Sequence, residues 1–136
     1  MDVLVNIDVD DLAKGIAFYQ AALGLSIGRR FSGLAVELGG ASAPIYLLEK
    51  PEGSRASHAC VETRRYDRHW TPVHLDVAVT DIEAAVKRAL DAGATQEGNI
   101  ETHLWGRIAH LADPFGHGLC LIEFLNRGYD EIADPP

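Results

Sequence analysis

Val3-Leu4-Val5-Asn6-Ile7-Asp8-Val9-Asp10-Asp11-Leu12 can be laid on Val73-His74-Leu75-Asp76-Val77-Ala78-Val79-Thr80-Asp81-Ile82, and the two stretches match in pattern. Val3, Val5, Ile7 and Val9 meet Val73, Leu75, Val77 and Val79. Both stretches alternate at period two, the mark of a half-buried strand. Both end in an acidic residue and pass into a helical pattern. Asp10 or Asp11 can cap the first helix, which carries Leu12, Ile16, Phe18 and Tyr19, the last two read as core packing. Thr80 with Glu83 forms a capping-box pattern for the second, which carries Ile82, Ala85, Val86 and Leu90. Each helix stops near a glycine, Gly24 or Gly93. The chain is a repeat.

Shorter strand signals follow each helix, around 26–30, 34–38 and 44–49 in the first half and around 94–98, 105–111 and 118–124 in the second. The closing strands correspond too: Ile45-Tyr46-Leu47-Leu48-Glu49 against Leu119-Cys120-Leu121-Ile122-Glu123. Each half reads β-α-β-β-β, an α+β arrangement. One half alone has too little apolar surface to be stable, so two together make physical sense. The expected organisation is one domain over 1–126, with module one at 2–50, a linker at 51–71, module two at 72–125 and a loose polar tail at 127–136. A linker of this length is functional or mobile more often than a short one. It is read here as a surface connector. Its end, Tyr66-Asp67-Arg68-His69-Trp70, offers two aromatics that could close over a cavity.

Bulk properties narrow the function classes. The 136 residues, 47% hydrophobic and 24% charged, suit one globular domain. A formal net charge of −8 disfavours nucleic acid as a partner. No apolar run is long enough to cross a bilayer, and Met1-Asp2-Val3-Leu4 lacks a basic region ahead of an apolar one. A cytoplasmic location is the resulting expectation. Cys60 and Cys120 are read as two buried thiols, with no CxxC pair for a thiolate zinc site. Gly39-Gly40 reads as a hairpin, and Asp113-Pro114 with Gly116 reads as a turn. No glycine-rich phosphate loop or nucleophile elbow is present.

Three stretches carry a resemblance to a known family. Val9-Asp10-Asp11-Leu12 with Ala17-Phe18-Tyr19 and Leu23-Gly24-Leu25 resembles the opening of vicinal-oxygen-chelate proteins, the glyoxalase/bleomycin-resistance/extradiol-dioxygenase superfamily. Val73–Ile82 looks like the start of their second module. Asp113-Pro114-Phe115-Gly116-His117 with Ile122-Glu123-Phe124 resembles their closing hairpin and last strand. The resemblance spans residues 2–125. It implies a curled, eight-stranded mixed sheet around a small-molecule cavity, and a divalent metal (zinc, manganese, iron, cobalt or nickel) held by residues of the first and last strands. Carried over residue by residue, the ligands are His74, Glu123 and Glu49. The fourth place falls on Leu4, which cannot bind a metal. Either Glu123 or Glu49 would also serve as the catalytic base.

By alternation, Leu4, Asn6 and Asp8 share one face of their strand, and His74 and Asp76 the matching face of theirs. The expected pocket therefore gathers His74, Asp76, Glu123, Glu49, Asn6 and Asp8, with Trp105 at its mouth. His103, His110 and His117 lie near the last hairpin and carry less weight, as do His58 and His69 in the linker. Two functions follow from the resemblance, and the set Glu49, His74 and Glu123 favours the first over the second, its alternative. One is a metal-dependent lyase, isomerase or dioxygenase acting on a small oxygen-rich molecule. The other is a metal-free binding protein of the bleomycin-resistance type. The resemblance also implies a homodimer, with Glu49 meeting His74 and Glu123 across subunits.

Overall fold

The computed structural model describes all residues 1–136, in two compact units, 1–67 and 68–136. Unit 1 contains β1 (Val5–Val9), α1 (Leu12–Leu23), β2 (Ser26–Phe31), β3 (Ala35–Gly39) and β4 (Ile45–Glu49). Unit 2 contains β5 (Leu75–Ala78), α2 (Ile82–Ala92), β6 (Thr95–Thr102), β7 (Gly106–Ala112) and β8 (Gly118–Phe124). The eight expected strands are present, four in each of two mixed sheets, ordered β1-β4-β3-β2 and β5-β8-β7-β6. In each sheet the first strand runs parallel to the last, and the other pairs are antiparallel.

In unit 1 the apolar face packs under α1. Val9, Val36, Leu38, Leu47 and Phe18 are almost fully buried there. Gly15 lets the helix approach closely, since a Cβ at that position would stand 3.2 Å from both Val9 and Leu47 side chains. In unit 2 the same role falls to Ile82, Ala85, Ala89, Ala109, Leu111 and Leu121. Each second strand carries a register shift against its neighbour, between Ile27 and Arg30 in unit 1 and between Glu97 and Glu101 in unit 2. Such bulges sharpen twist at a sheet edge.

The helix ends are built alike. Asp11 accepts a hydrogen bond from the Lys14 N–H, and Asp81 accepts one from the Ala84 N–H, both at 2.9 Å. The cap of α2 is thus Asp81 and not Thr80, because Asp81 is the residue in extended backbone one position before the helix. Both helices close on a left-handed glycine, Gly24 at φ 69° and Gly93 at φ 116°.

The connector is partly organised. Arg55 and Thr63 form a bridge, Arg64 donates to Asp8, and the Tyr66 hydroxyl donates to the Lys50 carbonyl at 2.6 Å. Residues 128–131 form a 3-10 turn, and Tyr129 packs its ring 4.9 Å from Phe124 and 5.1 Å from Trp105. The tail is therefore anchored at its start, where a wholly loose segment was expected. Neither cysteine is bridged. Cys120 is buried, but Cys60 is only half-buried, because it sits in the connector.

Candidate functional site

Strand register decides which side chains share a face. In unit 2, Asp76 lies opposite Cys120, Cys120 opposite His110, and His110 opposite Glu97. These four residues cross all four strands in one row, on the face turned away from α2. His74, just before β5, joins them with its Nε2 3.2 Å from an Asp76 carboxylate oxygen. Donor atoms of His74, Asp76 and Cys120 lie within 4.8 Å of one another. The Cys120 thiol is pushed up to about 12, first by burial and then by the charge of Asp76 and the hydrogen bond to it. It is a neutral donor and not a nucleophile.

Trp70 covers the end of this row. Its ring centroid is 4.8 Å from that of His74 and 6.4 Å from that of His110. The ring rests on Gly118, where a Cβ would stand 2.3 Å from it, so only glycine fits. The Arg68 guanidinium lies 5.7 Å from the Trp70 ring centroid and pairs with Glu97, its Nε at 2.8 Å. That hydrogen bond, with the guanidinium charge, holds the Glu97 carboxyl below the usual carboxylate range.

Unit 1 has the equivalent row. Asn6 lies opposite Tyr46, and Tyr46 opposite Glu37. Arg29 donates to Glu37 and, at 3.1 Å, to the Tyr46 hydroxyl. One step along β1, Asp8 accepts from Arg64 Nε at 2.6 Å. Asp8 and Glu37 thus each have an arginine, whereas Asp76 has only a histidine and a thiol.

Glu123 and Glu49 do not join these rows. Glu123 shares its face with Leu119 and Leu121, beneath α2, and its carboxylate accepts the Ile82 N–H at 2.8 Å. Glu49 lies opposite Val9, beneath α1, and accepts the Leu12 N–H at 2.8 Å. The expectation that Glu123 and His74 share one face is corrected by this register. Leu119 and Leu121 belong on the apolar side, and Glu123 is two residues beyond Leu121. Both glutamates satisfy first-turn N–H groups that the helices leave open.

Glu123 also belongs to a carboxylate group with Asp81 and Glu83, but Arg107 pairs with Glu83 and approaches Glu123 to 3.8 Å. The guanidinium and the helix start account for that group. No buried side-chain nitrogen or oxygen lacks a hydrogen-bond partner. The set His74, Glu123 and Glu49 therefore does not fit one metal ion, since Glu123 and His74 lie on opposite faces of their sheet.

Other expected residues are placed as follows. Asn6 and Asp76 stand exposed on their helix-free faces, and Asp8 is half-buried against Arg64. Trp105 precedes β7 and stacks on His103 at 5.3 Å, among Phe124 and Tyr129 and apart from the row. Sequence reasoning read Cys120 as a buried thiol, gave His110 little weight and offered Trp70 as an aromatic that could close over a cavity, without bringing the three together. The parity of Leu119-Cys120-Leu121 was the available signal for the first.

A family model described as a glyoxalase-like domain matches residues 4–122. The anthracycline biosynthesis protein DauV of Streptomyces sp. (strain C5) is 29% identical over 135 residues, covering 96% of this chain and 43% of that protein. The chain spans less than half the length of the curated relatives it matches. Among solved structures, the fosfomycin resistance protein FosX of Listeria monocytogenes aligns with TM-score 0.72 at 16% identity, covering 96% of each chain. TnmS3, an antibiotic binding protein from Streptomyces sp. CB03234, aligns with TM-score 0.63 at 22% identity, covering 92% of this chain and 96% of that one. These structural likenesses concern the fold.

Proposed function

Because this chain belongs to the glyoxalase-like domain family, we propose that it is a metal-independent small-molecule binding protein, and that its ligand sits on the helix-free face of the unit 2 sheet. One observation carries this reading. Trp70, His74 and His110 form an aromatic wall beside the Asp76 carboxylate, while Glu123 and Glu49 are taken up by the helix starts. A ring system stacks or packs edge-on against such a wall. A carboxylate beside it, with no lysine or arginine of its own, favours a ligand that brings a hydrogen-bond donor or an ammonium group. The ligand class that follows is a planar aromatic molecule with such a group. The descriptions of TnmS3 as an antibiotic binding protein and of DauV as an anthracycline biosynthesis protein support the reading without deciding it. No helix is long and apolar enough to cross a membrane.

The test is a titration with anthracycline and other aromatic antibiotics, followed by calorimetry, with and without a chelator. Binding that survives the chelator and weakens in Trp70→Ala supports the proposal. Trp70→Ala should cost about 0.5–1.5 kcal/mol, the usual worth of an aromatic contact. Binding that appears only after loading with a divalent ion would overturn it.

A second reading, a metal-dependent enzyme, keeps one favourable observation: the imidazole, carboxylate and thiol of His74, Asp76 and Cys120 lie within 4.8 Å. It needs the Cys120 proton to be displaced. Zinc, cobalt or nickel titration in His74→Ala and Cys120→Ser separates it from the first.

A further inference from the structure

We propose that Arg68 is a positioning residue: its guanidinium, clamped between Glu97 on β6 and the Gly116 carbonyl, fixes the Trp70 ring in place before any ligand arrives. All the residues involved belong to unit 2. Arg68 Nε donates to one Glu97 carboxylate oxygen at 2.8 Å, and Nη2 donates to the other. Nη1 donates to the Gly116 carbonyl at 3.1 Å. Two bonds to a carboxylate and a third to a carbonyl in the β7–β8 turn fix the plane of the guanidinium. Its central carbon lies 5.7 Å from the Trp70 ring centroid, within cation–π range.

Gly118 supplies the room for both groups. A Cβ there would stand 2.3 Å from the Trp70 ring and 3.4 Å from Arg68 Nη2. The bare backbone at the start of β8 is thus the floor on which the two side chains meet. Arginine is required for its shape as well as its charge. A lysine ammonium is a single point of charge and cannot hold both Glu97 oxygens, the Gly116 carbonyl and the indole together. The hydrogen bond with Glu97 raises the Arg68 pKa, and the charges of Glu97 and Asp113 add to the rise, so the clamp has no protonation step near neutrality.

The role is placement and not stability. The Arg68 and Glu97 side chains are 34% and 39% exposed, and such a pair adds little to folding. What it supplies is order in Trp70, whose ring is 47% exposed, and exposed side chains ordinarily change rotamer on the picosecond-to-nanosecond scale. The His69 N–H donates to the same Gly116 carbonyl at 3.0 Å, which ties the backbone beside Trp70 but leaves its side-chain torsions free. The placement of the ring does not depend on the ligand reading; only its consequence for affinity rests on that reading. There, a wall ordered in advance spares the ligand the entropy of ordering it.

The experiment follows Trp70 without ligand. In a Trp105→Phe background Trp70 is the sole tryptophan. Its lifetime-corrected acrylamide quenching constant is measured at neutral pH in the parent, Arg68→Lys, Arg68→Ala and Glu97→Ala, with the urea midpoint of each. Because the ring starts 47% exposed, release should raise the constant roughly twofold in all three variants. The urea midpoint should stay nearly unchanged. No rise in Arg68→Ala would leave the ring to the backbone tie and Gly118, and would overturn the proposal. A rise in Arg68→Ala without one in Arg68→Lys would overturn it too, by showing that charge alone suffices. No rise in Glu97→Ala would remove Glu97 as the anchor and with it the clamp. A midpoint that falls in step with the quenching would assign Arg68 a structural role instead. If Arg68→Ala does not fold, Arg68→Lys and Glu97→Ala decide on the same readout.

Discussion

Units 1 and 2 share a scaffold and differ in what they expose. Both have a strand-helix-strand-strand-strand order, an aspartate cap, a glutamate from the last strand on the first helical N–H, and a left-handed glycine at the helix end. These features sit on the helix-facing side of each sheet. On the other side the chemistry diverges. Unit 1 pairs Asp8 with Arg64 and Glu37 with Arg29, so its row is internally neutralised. Unit 2 leaves Asp76 beside His74 and the Cys120 thiol, with Trp70 against His74. The repeat preserved what folds the unit and varied what faces outward. On the proposed reading, the unit whose carboxylate lacks an arginine is the one that takes the ligand.

The largest expected effect tests whether the scaffolds are equivalent. Leu47 and Leu121 are fully buried at matching places of β4 and β8. Leu47→Ala and Leu121→Ala should each cost about 2–5 kcal/mol in urea unfolding. Clearly unequal costs would mean that the two cores do not carry the fold equally.

Next come the glutamates. Glu49→Ala and Glu123→Ala should each lose about 0.5–2 kcal/mol of stability, as cap removals do, and leave ligand affinity in place. A catalytic or metal-binding glutamate would instead abolish function with little change in stability.

The smallest effect is in the acid range. Glu97 and Glu83 are both lowered, by Arg68 and by Arg107. A carboxyl with a depressed folded pKa contributes stability that is present above the ordinary glutamate value, about 4.3, and is lost as pH falls through the lower folded value. Unit 2 should therefore lose a small increment below about pH 4. Arg68→Ala and Arg107→Ala should flatten that part of the pH–stability curve. Both sites are exposed, so the increment is modest.

Much of this was legible in the residues. Period-two alternation in 3–9 and 73–79, the two aspartates and the two glycines mark each module, because these are local requirements of strands, caps and helix ends. The capping residue of α2 was misplaced by one position, since Thr80 and Asp81 both have cap chemistry and backbone geometry chooses between them. The site was less legible. Family likeness drew attention to Glu123, whereas the pairing of Asp76 with Cys120 depends on parallel register, which no single strand reveals. Trp70 was visible as a connector aromatic that could close over a cavity, but the surface it would cover was not. Its placement needs Gly118, far along the chain, to leave room.

The central claim is that function lies on the helix-free face of unit 2, with Glu49 and Glu123 structural. The most direct measurement is calorimetric affinity for an aromatic antibiotic that binds the parent protein, in the presence of a chelator, comparing Asp76→Asn with Glu123→Gln. The account predicts at least about tenfold weaker binding in Asp76→Asn, the loss of a charge-assisted contact, and unchanged binding in Glu123→Gln. Binding that is lost in Glu123→Gln and kept in Asp76→Asn would contradict it.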